Sequence, residues 1–344
     1  MPLNSGRSAT LGGVGGFLST AIAIAHGTTP FVSAYPFNLG FGTKYANPAT
    51  LPGDTGKDVA FSTGSTEIGM ATSYVGSDGK RMSVYNWAGG FGSKLTGIAT
   101  GARHGEGFAW QPGNANAAFA TITNPHVYAA PFTPATGFGS SYANPSPLPG
   151  QAYKVNFSPD GGSIALAIDG SPAVNAYAFS SGFGSKYANP GTIPGGNGAD
   201  VEWSKNGSQI AIGHSSSPYI SVYVWSSGFG AKYANPSGYT PYDGLGVTFS
   251  HDDTAIAIVK ASTPFIQVYP WSPGFGTKYS APAVLPAGSS RQVSFSANSS
   301  SVAVAHDDTP FVTAWPWSAG FGTKYANPAT LPAGYAQSLA FNSE

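Results

Sequence analysis

The sequence contains no cysteine, which excludes disulfides and thiolate metal sites from its 344 residues. Charged side chains are also scarce, at 9% of the chain against roughly 25% in a typical soluble domain. Because the formal net charge is zero, we predict no nucleic-acid partner and no attraction to an anionic membrane. No apolar run approaches the roughly 20 residues of a membrane-spanning helix, so no membrane insertion is expected.

What is abundant is glycine, proline and aromatic residues, and one nine-residue stretch repeats along the chain. The stretch Gly320–Pro328 reads Gly-Phe-Gly-Thr-Lys-Tyr-Ala-Asn-Pro and is almost unchanged at Gly40–Pro48. We call it the cassette. Its phenylalanine recurs at intervals of 50, 47, 45, 46, 46 and 46 residues, at Phe41, Phe91, Phe138, Phe183, Phe229, Phe275 and Phe321. A period this steady is typical of repeat architectures.

Three strand-like runs precede the cassette in each period. The first follows a Val-x-aromatic-Ser pattern, as in Val155–Ser158, and the second alternates large residues with Ala, as in Ile164–Ala167. The third is rich in β-branched and aromatic residues, as in Phe265–Trp271. Alternation of this kind indicates strands, and the glycines of the cassette favour a chain reversal. The Pro-rich tail after the cassette is expected to form a weak fourth strand at an outer edge.

Four antiparallel strands per period, seven times, predict an all-β, seven-bladed β-propeller. The chain ends in a first strand without a successor, at Phe341, and begins with a second strand at Ile22. We therefore expect the C-terminal strand to join the N-terminal blade and close the ring. Residues 1–19 are predicted to be an N-terminal extension and residues 20–344 a single propeller domain. An open solenoid is the alternative fold, but neither end looks like a capping repeat.

The runs such as Phe157–Ala165, with the strand, turn and strand that follow, resemble WD-repeat and related propeller repeats over residues 20–344. The Gly-His and Trp-Asp signatures of true WD repeats are missing. The cassette with its preceding aromatic-Pro-Trp is similar to propeller repeats encoded by tailed bacteriophages, in proteins assigned to the virion or tail. This resemblance implies a structural or host-attachment protein of a virion.

The leading functional expectation is accordingly a non-enzymatic, virion-associated structural or adhesion protein that displays binding loops on a rigid propeller. Its partners would be other virion proteins or a glycan or protein of the host surface, and its location the virion. The alternatives are a soluble protein-interaction propeller and a lectin or polysaccharide-active enzyme. No linear catalytic or cofactor motif occurs, so we expect no enzyme, no metal and no cofactor, although the channel of a propeller could bring two carboxylates together.

The positions where the repeats disagree are the candidate binding residues, since loops on a rigid scaffold are where binding residues concentrate. The loops before each first strand should surround one mouth of the central channel, and neutral drift is the alternative explanation of their variety. Their candidates are Lys57, Asp58, Arg103, His104, Glu106, Tyr153, Asn197, Tyr242, Asp243, Arg291, Tyr335 and Gln337.

Two further sets of candidates stand outside these loops. The second blade has a longer hairpin, which is either a contact site or an eroded repeat, with the candidates Tyr74, Asp78, Lys80 and Arg81. The cassettes carry a lysine that would form a ring on one face or rim, either as an anion-binding surface or as solvated turn residues. These are Lys44, Lys94, Lys186, Lys232, Lys278 and Lys324.

Overall fold

The computed structural model describes residues 20–73, 82–98, 104–239 and 243–342, so the predicted extension 1–19 lies outside the described residues. It contains 25 β-strands in seven antiparallel sheets of three or four strands. The first strand of each sheet contacts the first strand of the next, around a complete circle. The predicted all-β, seven-bladed β-propeller is confirmed. In the part of the chain that is described, no helix is long and apolar enough to cross a membrane.

The strands are numbered β1 to β25 in chain order, and the blades are numbered 1 to 7 from the N-terminus. Blade 1 contains β25 (Ala336–Phe341), β1 (Ala21–His26) and β2 (Val32–Pro36). Blade 2 contains β3 (Gly56–Phe61), β4 (Glu67–Thr72), β5 (Met82–Trp87) and β6 (Phe91–Leu95). Blade 3 contains β7 (Gly105–Trp110), β8 (Asn116–Thr121), β9 (Val127–Thr133) and β10 (Gly137–Phe138).

Blade 4 contains β11 (Ala152–Phe157), β12 (Ser163–Ile168), β13 (Val174–Phe179) and β14 (Phe183–Lys186). Blade 5 contains β15 (Gly198–Trp203), β16 (Gln209–His214), β17 (Ile220–Trp225) and β18 (Phe229–Lys232). Blade 6 contains β19 (Gly244–Phe249), β20 (Ala255–Lys260) and β21 (Ile266–Pro270). Blade 7 contains β22 (Ser290–Phe295), β23 (Ser301–His306) and β24 (Val312–Pro316).

The alternation of large and small residues in the second strands fits the blades against one another. Every residue of β12 is buried, because a blade packs against a neighbour on each of its two faces. Its small residues, Ala165 and Ala167, lie in one hydrophobic cluster with Ile210 and Ile212 of blade 5. The large side chains of one blade therefore fill the space that the alanines of the preceding blade leave.

The ring closes through the C-terminal strand, as the sequence predicts. Strand β25 pairs antiparallel with β1, with Ile22 opposite Phe341 and Ile24 opposite Leu339. The side chain of Asn342 extends the pairing, because its Oδ1 accepts the backbone N–H of Ala21 at 2.6 Å. The first and last of the described strands thus belong to one sheet.

The fourth strand lies in the Gly-Phe-Gly-x-Lys part of the cassette and not in the Pro-rich tail, where we expected it. It spans four or five residues in blades 2, 4 and 5 but is a single bridge in blades 1, 6 and 7, as between Phe37 and Phe41. In these three blades the third strand ends on a proline, such as Pro36. The N–H of the next residue, Phe37, donates inward to Thr20, so position 36 faces the fourth strand. A proline there removes the donor that a longer ladder needs.

The tyrosine of the cassette joins one blade to the next. Its ring packs edge-on against an aromatic residue at the end of the next blade's third strand, with centroid separations of 5.1 to 6.0 Å. The pairs are Tyr45–Trp87, Tyr142–Phe179, Tyr187–Trp225, Tyr233–Trp271, Tyr279–Trp317 and Tyr325–Phe37. Because the last pair links blade 7 to blade 1, the same contact that repeats around the ring also closes it.

Candidate functional site

The strands β25, β3, β7, β11, β15, β19 and β22, which contact one another around the ring, are the inner strands of their blades. Each inner strand contains a β-bulge near its first residue, where its pairing with the second strand of the blade shifts. A bulge leaves one residue unpaired and re-aims its side chain. Here all seven bulge residues line one cavity of about 400 Å³ at an end of the central channel. We call these residues the mouth ring: Lys57, Glu106, Tyr153, Ala199, Leu245, Arg291 and Gln337.

The residue that follows each bulge residue lies one layer deeper in the channel. These residues are the waist ring: Asp58, Gly107, Lys154, Asp200, Gly246, Gln292 and Ser338. Lys154, Gln292 and Ser338 line both the mouth cavity and a second cavity of about 320 Å³ at the opposite end. The waist ring therefore separates two cavities. Its glycines stand where the next strand comes close, since a Cβ on Gly107 would lie 2.9 Å from the Cα of Lys154.

Two aspartates of the waist ring tie neighbouring inner strands together. The carboxylate of Asp58 accepts the backbone N–H of Val59 in its own strand and that of Phe108 in the next blade, each at 3.0 Å. Asp200 makes the same contacts with its own strand and with Val247 of the next blade, each at 2.9 Å. Each of these side chains thus joins two neighbouring inner strands and helps to hold the channel together.

Lys154 lies between the two aspartates. Its Nζ is 2.6 Å from Oδ1 of Asp58, which also accepts the hydroxyl of Ser338 at 2.6 Å. Burial alone would lower the pKa of Lys154, but the attraction of Asp58 and Asp200 outweighs it and raises that pKa above its ordinary value. Burial raises the pKa of Asp200 to about 7, against the opposing charge of Lys154. Asp200 therefore titrates near neutral pH.

The mouth ring places a cation, a carboxylate and a phenol on three consecutive blades. Nζ of Lys57 lies 3.4 Å from Oε2 of Glu106, and the two side chains are 26% and 17% exposed. Burial raises the pKa of Glu106, although the charge of Lys57 opposes the shift. The next residue in the ring, Tyr153, has its pKa raised by burial and by the nearby charges of Asp169 and Glu106, so its phenol stays protonated.

Arg291 lines the opposite side of the mouth and forms a two-point ion pair. Its Nε donates to Oδ1 of Asp307 at 2.9 Å and its NH2 group to Oδ2 at 2.7 Å. The hydrogen bonds to Asp307 raise the pKa of Arg291. Parallel bonds of this kind fix the guanidinium plane, so Arg291 is held by its own blade.

The structure brings many of the predicted loop candidates together. Lys57, Glu106, Tyr153, Arg291 and Gln337 belong to the mouth ring. Asn197 and Asp243 line the same cavity, and Asp58 belongs to the waist ring. His104 and Tyr335 are not among the residues that line it. Arg103, Tyr242 and the blade-2 candidates Tyr74, Asp78, Lys80 and Arg81 lie outside the described residues.

The cassette lysines are placed at the outer edges of the blades, away from the mouth. Four of them donate to the asparagine three residues later in the same cassette, in the pairs Lys44–Asn47, Lys186–Asn189, Lys232–Asn235 and Lys324–Asn327. Lys278 instead donates to the carbonyl oxygen of Gly238 at 2.6 Å. Lys94 pairs opposite Tyr85 in the fourth strand of blade 2. A binding role for this ring of lysines stays a prediction.

Several waist residues were not predicted, Lys154, Asp200, Gln292 and Ser338 among them. A signal for them exists in the sequence. The position immediately before the Val-x-aromatic-Ser pattern varies between Asp, Gly, Lys, Gln and Ser while the pattern itself recurs. A single varied position next to a repeated strand pattern indicates a residue that the strand presents to a shared channel. That position lies at the border between the predicted loops and the strands.

Within the described ranges, no group of three or more His, Asp or Glu side chains could hold a metal ion. Two acids of the turns His251–Asp253 and His306–Asp308 have partners in other parts of the protein. Asp307 binds Arg291, and the carboxylate of Asp253 accepts the backbone N–H groups of Lys205 and Asn206 at 2.7 and 2.8 Å. The expected absence of a cofactor stays a prediction.

The sequence matches no protein-family model, and a search of curated proteins found no match. Solved structures with the same fold do exist. A candidate 6-phosphogluconolactonase of Bacteroides uniformis superimposes with a TM-score of 0.74 at 12% identity, covering 94% of this chain and 99% of that one. The corresponding protein of Bacteroides fragilis gives 0.73 at 11% identity, covering 94% and 98%. The periplasmic gluconolactonase of Pseudomonas aeruginosa gives 0.69 at 13%, covering 94% and 99%.

These comparisons correct the functional expectation. The three structures are lactonases by name, which contradicts both the prediction of a non-enzymatic virion protein and the prediction of no enzyme. They support the seven-bladed propeller and lend no support to a relation with WD repeats or with phage tail and host-attachment proteins. The absence of linear motifs is weak evidence against an enzyme in this fold. A propeller assembles its channel from residues about one blade apart, so no linear motif is to be expected. The predicted partners and virion location stay predictions.

Proposed function

We propose that the protein hydrolyses a small cyclic ester, a lactone of a sugar acid, in the mouth cavity. The observation that carries the proposal is the pair Glu106 and Lys57, a carboxylate with raised pKa beside an ammonium group 3.4 Å away at the rim of the cavity. The likeness of the fold to structures named as lactonases supports the choice of a cyclic ester as substrate.

Ester hydrolysis needs a base to activate water and a positive group to stabilise the oxyanion that forms. Glu106 suits the first role, because burial raises its pKa from the ordinary range of a carboxylate and makes it a stronger base. Lys57 suits the second, because its ammonium lies next to the base at the end of the adjacent inner strand. Both residues are the bulge residues of their strands. Because β3 pairs with β4 and β7 pairs with β8 along the rest of their length, the scaffold holds both residues in place.

The reaction proceeds in two steps in which atoms and charges balance. Glu106 takes a proton from a water molecule as the water oxygen forms a bond to the lactone carbonyl carbon, and the carbonyl oxygen becomes an oxyanion beside Lys57. The tetrahedral intermediate then collapses and the bond from that carbon to the ring oxygen breaks. The proton on Glu106 passes to the leaving alkoxide, which gives the open hydroxy acid. Tyr153, protonated and next in the ring, donates a hydrogen bond to the substrate.

The test measures proton release as glucono-1,5-lactone opens, corrected for its spontaneous hydrolysis. Glu106→Gln should lower kcat by about 10²- to 10⁴-fold, the usual contribution of a general base. The matched control is Glu202→Gln, which changes a partly buried carboxylate at the opposite cavity that also pairs with a lysine, Lys205, at 3.1 Å. This control should retain most of the wild-type rate. Equal rates in the wild type and Glu106→Gln would exclude Glu106 as the base.

The pH dependence gives a second readout for Glu106. A base must be deprotonated to act, so kcat/KM should rise with pH through the pKa of Glu106 and level off above it. Because burial raises that pKa, the midpoint should lie above the ordinary value of 4.5. Lys57→Met removes the opposing positive charge and should move the midpoint further up while it lowers kcat. A midpoint that does not move in Lys57→Met would show that another group titrates.

A further inference from the structure

The cations of the mouth are all engaged by carboxylates. Three lysine or arginine side chains line the cavity among the described residues: Lys57, Lys154 and Arg291. Lys57 faces Glu106 at 3.4 Å, and Lys154 faces Asp58 at 2.6 Å. Arg291 is held at two points by Asp307, with a shortest distance of 2.7 Å. A dianionic ligand, unlike the single oxyanion that develops beside Lys57 in the proposed reaction, would have to displace one of these carboxylates.

The charged groups that line this cavity are equal in number. Three cations face three carboxyl groups, Glu106, Asp200 and Asp243, while Asp58 and Asp307 approach two of the cations from outside the lining. Asp200 is partly protonated near neutral pH, because burial raises its pKa to about 7. Because each cation of the lining has a carboxylate partner, the described cavity offers a ligand no excess of positive charge.

Phosphate monoesters are bound by arginine forks, lysines or clusters of backbone N–H groups that are available to the ligand. The fork of Arg291 already points both its Nε and an NH2 group at Asp307. Lys154 is fixed between the waist aspartates below the mouth. A dianionic phosphate in this cavity would meet cations that carboxylates already hold, and would lose its water of hydration without a replacement.

Neutral hydrogen-bonding groups complete the lining, among them Asn197, Gln292, Gln337 and the phenol of Tyr153. Side-chain amides both donate and accept, as the hydroxyl groups of a sugar do. We infer that the mouth cavity selects an uncharged polyhydroxy lactone and discriminates against the same lactone bearing a phosphate group. This inference rests on the proposed function and specifies its substrate class.

The experiment compares kcat/KM for glucono-1,5-lactone and for its 6-phosphate with the full-length protein. We expect at least a tenfold preference for the uncharged lactone. Its kcat/KM should also change less than twofold between about 20 and 200 mM salt, because screening acts on charged partners. The variant Asp307→Asn releases the guanidinium of Arg291, so it should raise the ratio of the phosphorylated to the uncharged substrate severalfold. Asp308→Asn, one residue further in the same turn, is the matched control and should leave that ratio as it is in the wild type.

The possible results separate the two proposals. A preference for the phosphorylated lactone, or values of kcat/KM within threefold of each other, would overturn the inference and leave the proposed function standing. A ratio that does not respond to Asp307→Asn would show that the ion pair with Arg291 does not set specificity. If neither lactone is opened faster than in buffer, the proposed function itself fails and the inference fails with it.

Discussion

Replacing His214 by threonine should remove the share of the protein's sensitivity to acid that this one buried histidine contributes. Three histidines, His26, His214 and His306, end the second strands of blades 1, 5 and 7, and all three are 0% exposed. Nε2 of His214 lies 3.0 Å from the hydroxyl of Ser221, and the other two make equivalent contacts. Threonine is the residue that blade 2 has in this position, at Thr72, so the substitution stays within what the repeat accepts.

The magnitude follows from the pKa values. Burial lowers the pKa of each of these histidines from 6.5 to about 4. Between these values the unfolded chain binds a proton that the folded protein does not, so the free energy of unfolding falls as the pH is lowered from above 6.5 towards 4. From pH 7.5 to 5.0 each histidine should account for a loss of about 2 kcal/mol, and the three together for about 6 kcal/mol.

Asp200 acts in the opposite direction. Because burial raises its pKa to about 7, the folded protein binds a proton on acidification before the unfolded chain does, and stability increases over the same range. The comparison must therefore be made between variants and not on the wild type alone. The difference between the wild type and His214→Thr isolates one histidine, because Asp200 is present in both.

The assay is urea unfolding followed by tryptophan fluorescence at pH 7.5 and at pH 5.0. The loss of unfolding free energy between the two pH values should be about 2 kcal/mol smaller in His214→Thr than in the wild type. Ser221→Ala is the control: it removes the hydroxyl beside the ring but keeps the imidazole, so it should lower stability at both pH values and leave the pH dependence in place. A pH dependence that is the same in the wild type and His214→Thr would refute the assignment of a lowered pKa to this buried ring.

Two further predictions concern the scaffold. Tyr35→Phe removes the hydroxyl of blade 1 that donates at 2.8 Å to a carbonyl in the tail of blade 7, and should cost about 1 kcal/mol in urea unfolding; an unchanged midpoint would mean that this bond contributes nothing to ring closure. In Gly198→Ala the new Cβ would lie 2.0 Å from the carbonyl oxygen of Ala173, a backbone atom that cannot shift without distorting the blade. A Cβ at Gly191 would have no heavy atom within 4 Å. Gly198→Ala should therefore lower Tm by several degrees and Gly191→Ala should not; equal Tm values would show that the strand shifts without strain.

Much of the fold could be predicted because the information is local to each repeat. The alternation of Ile164–Ala167 sets both the strand and the faces that neighbouring blades share. The position of the fourth strand could not be predicted in this way. We placed it in the Pro-rich tail because the prolines suit an edge, but the bridge between Phe37 and Phe41 shows that pairing begins directly after the turn. Whether the hydrogen-bonded ladder extends beyond this bridge depends on whether the third strand of the same blade ends on a proline.

The candidate site was predicted in part. Glu106 and Arg291 were found because the loops vary where the strands do not, and the structure places both in one mouth. Their partners were not foreseen. Lys154 and Asp58 are 96 positions apart in the sequence, and Arg291 and Asp307 are 16 apart. No spacing pattern in the sequence predicts either contact. The prediction of no enzyme was wrong for the same reason, because it depended on motifs within one segment.

The sequence by itself determined the number of blades, their strands and the closure of the ring by the C-terminal strand, because each of these follows from a pattern that repeats every 46 residues or so. Only the tertiary structure decided which charges meet. Each blade contributes one bulge residue to the mouth, and seven such residues become neighbours only when the ring is closed. Whether a lysine or arginine at the mouth is held by a carboxylate depends on distances of a few ångströms, between blades for Lys57 and Lys154 and within one blade for Arg291, and these contacts decide what the cavity can bind.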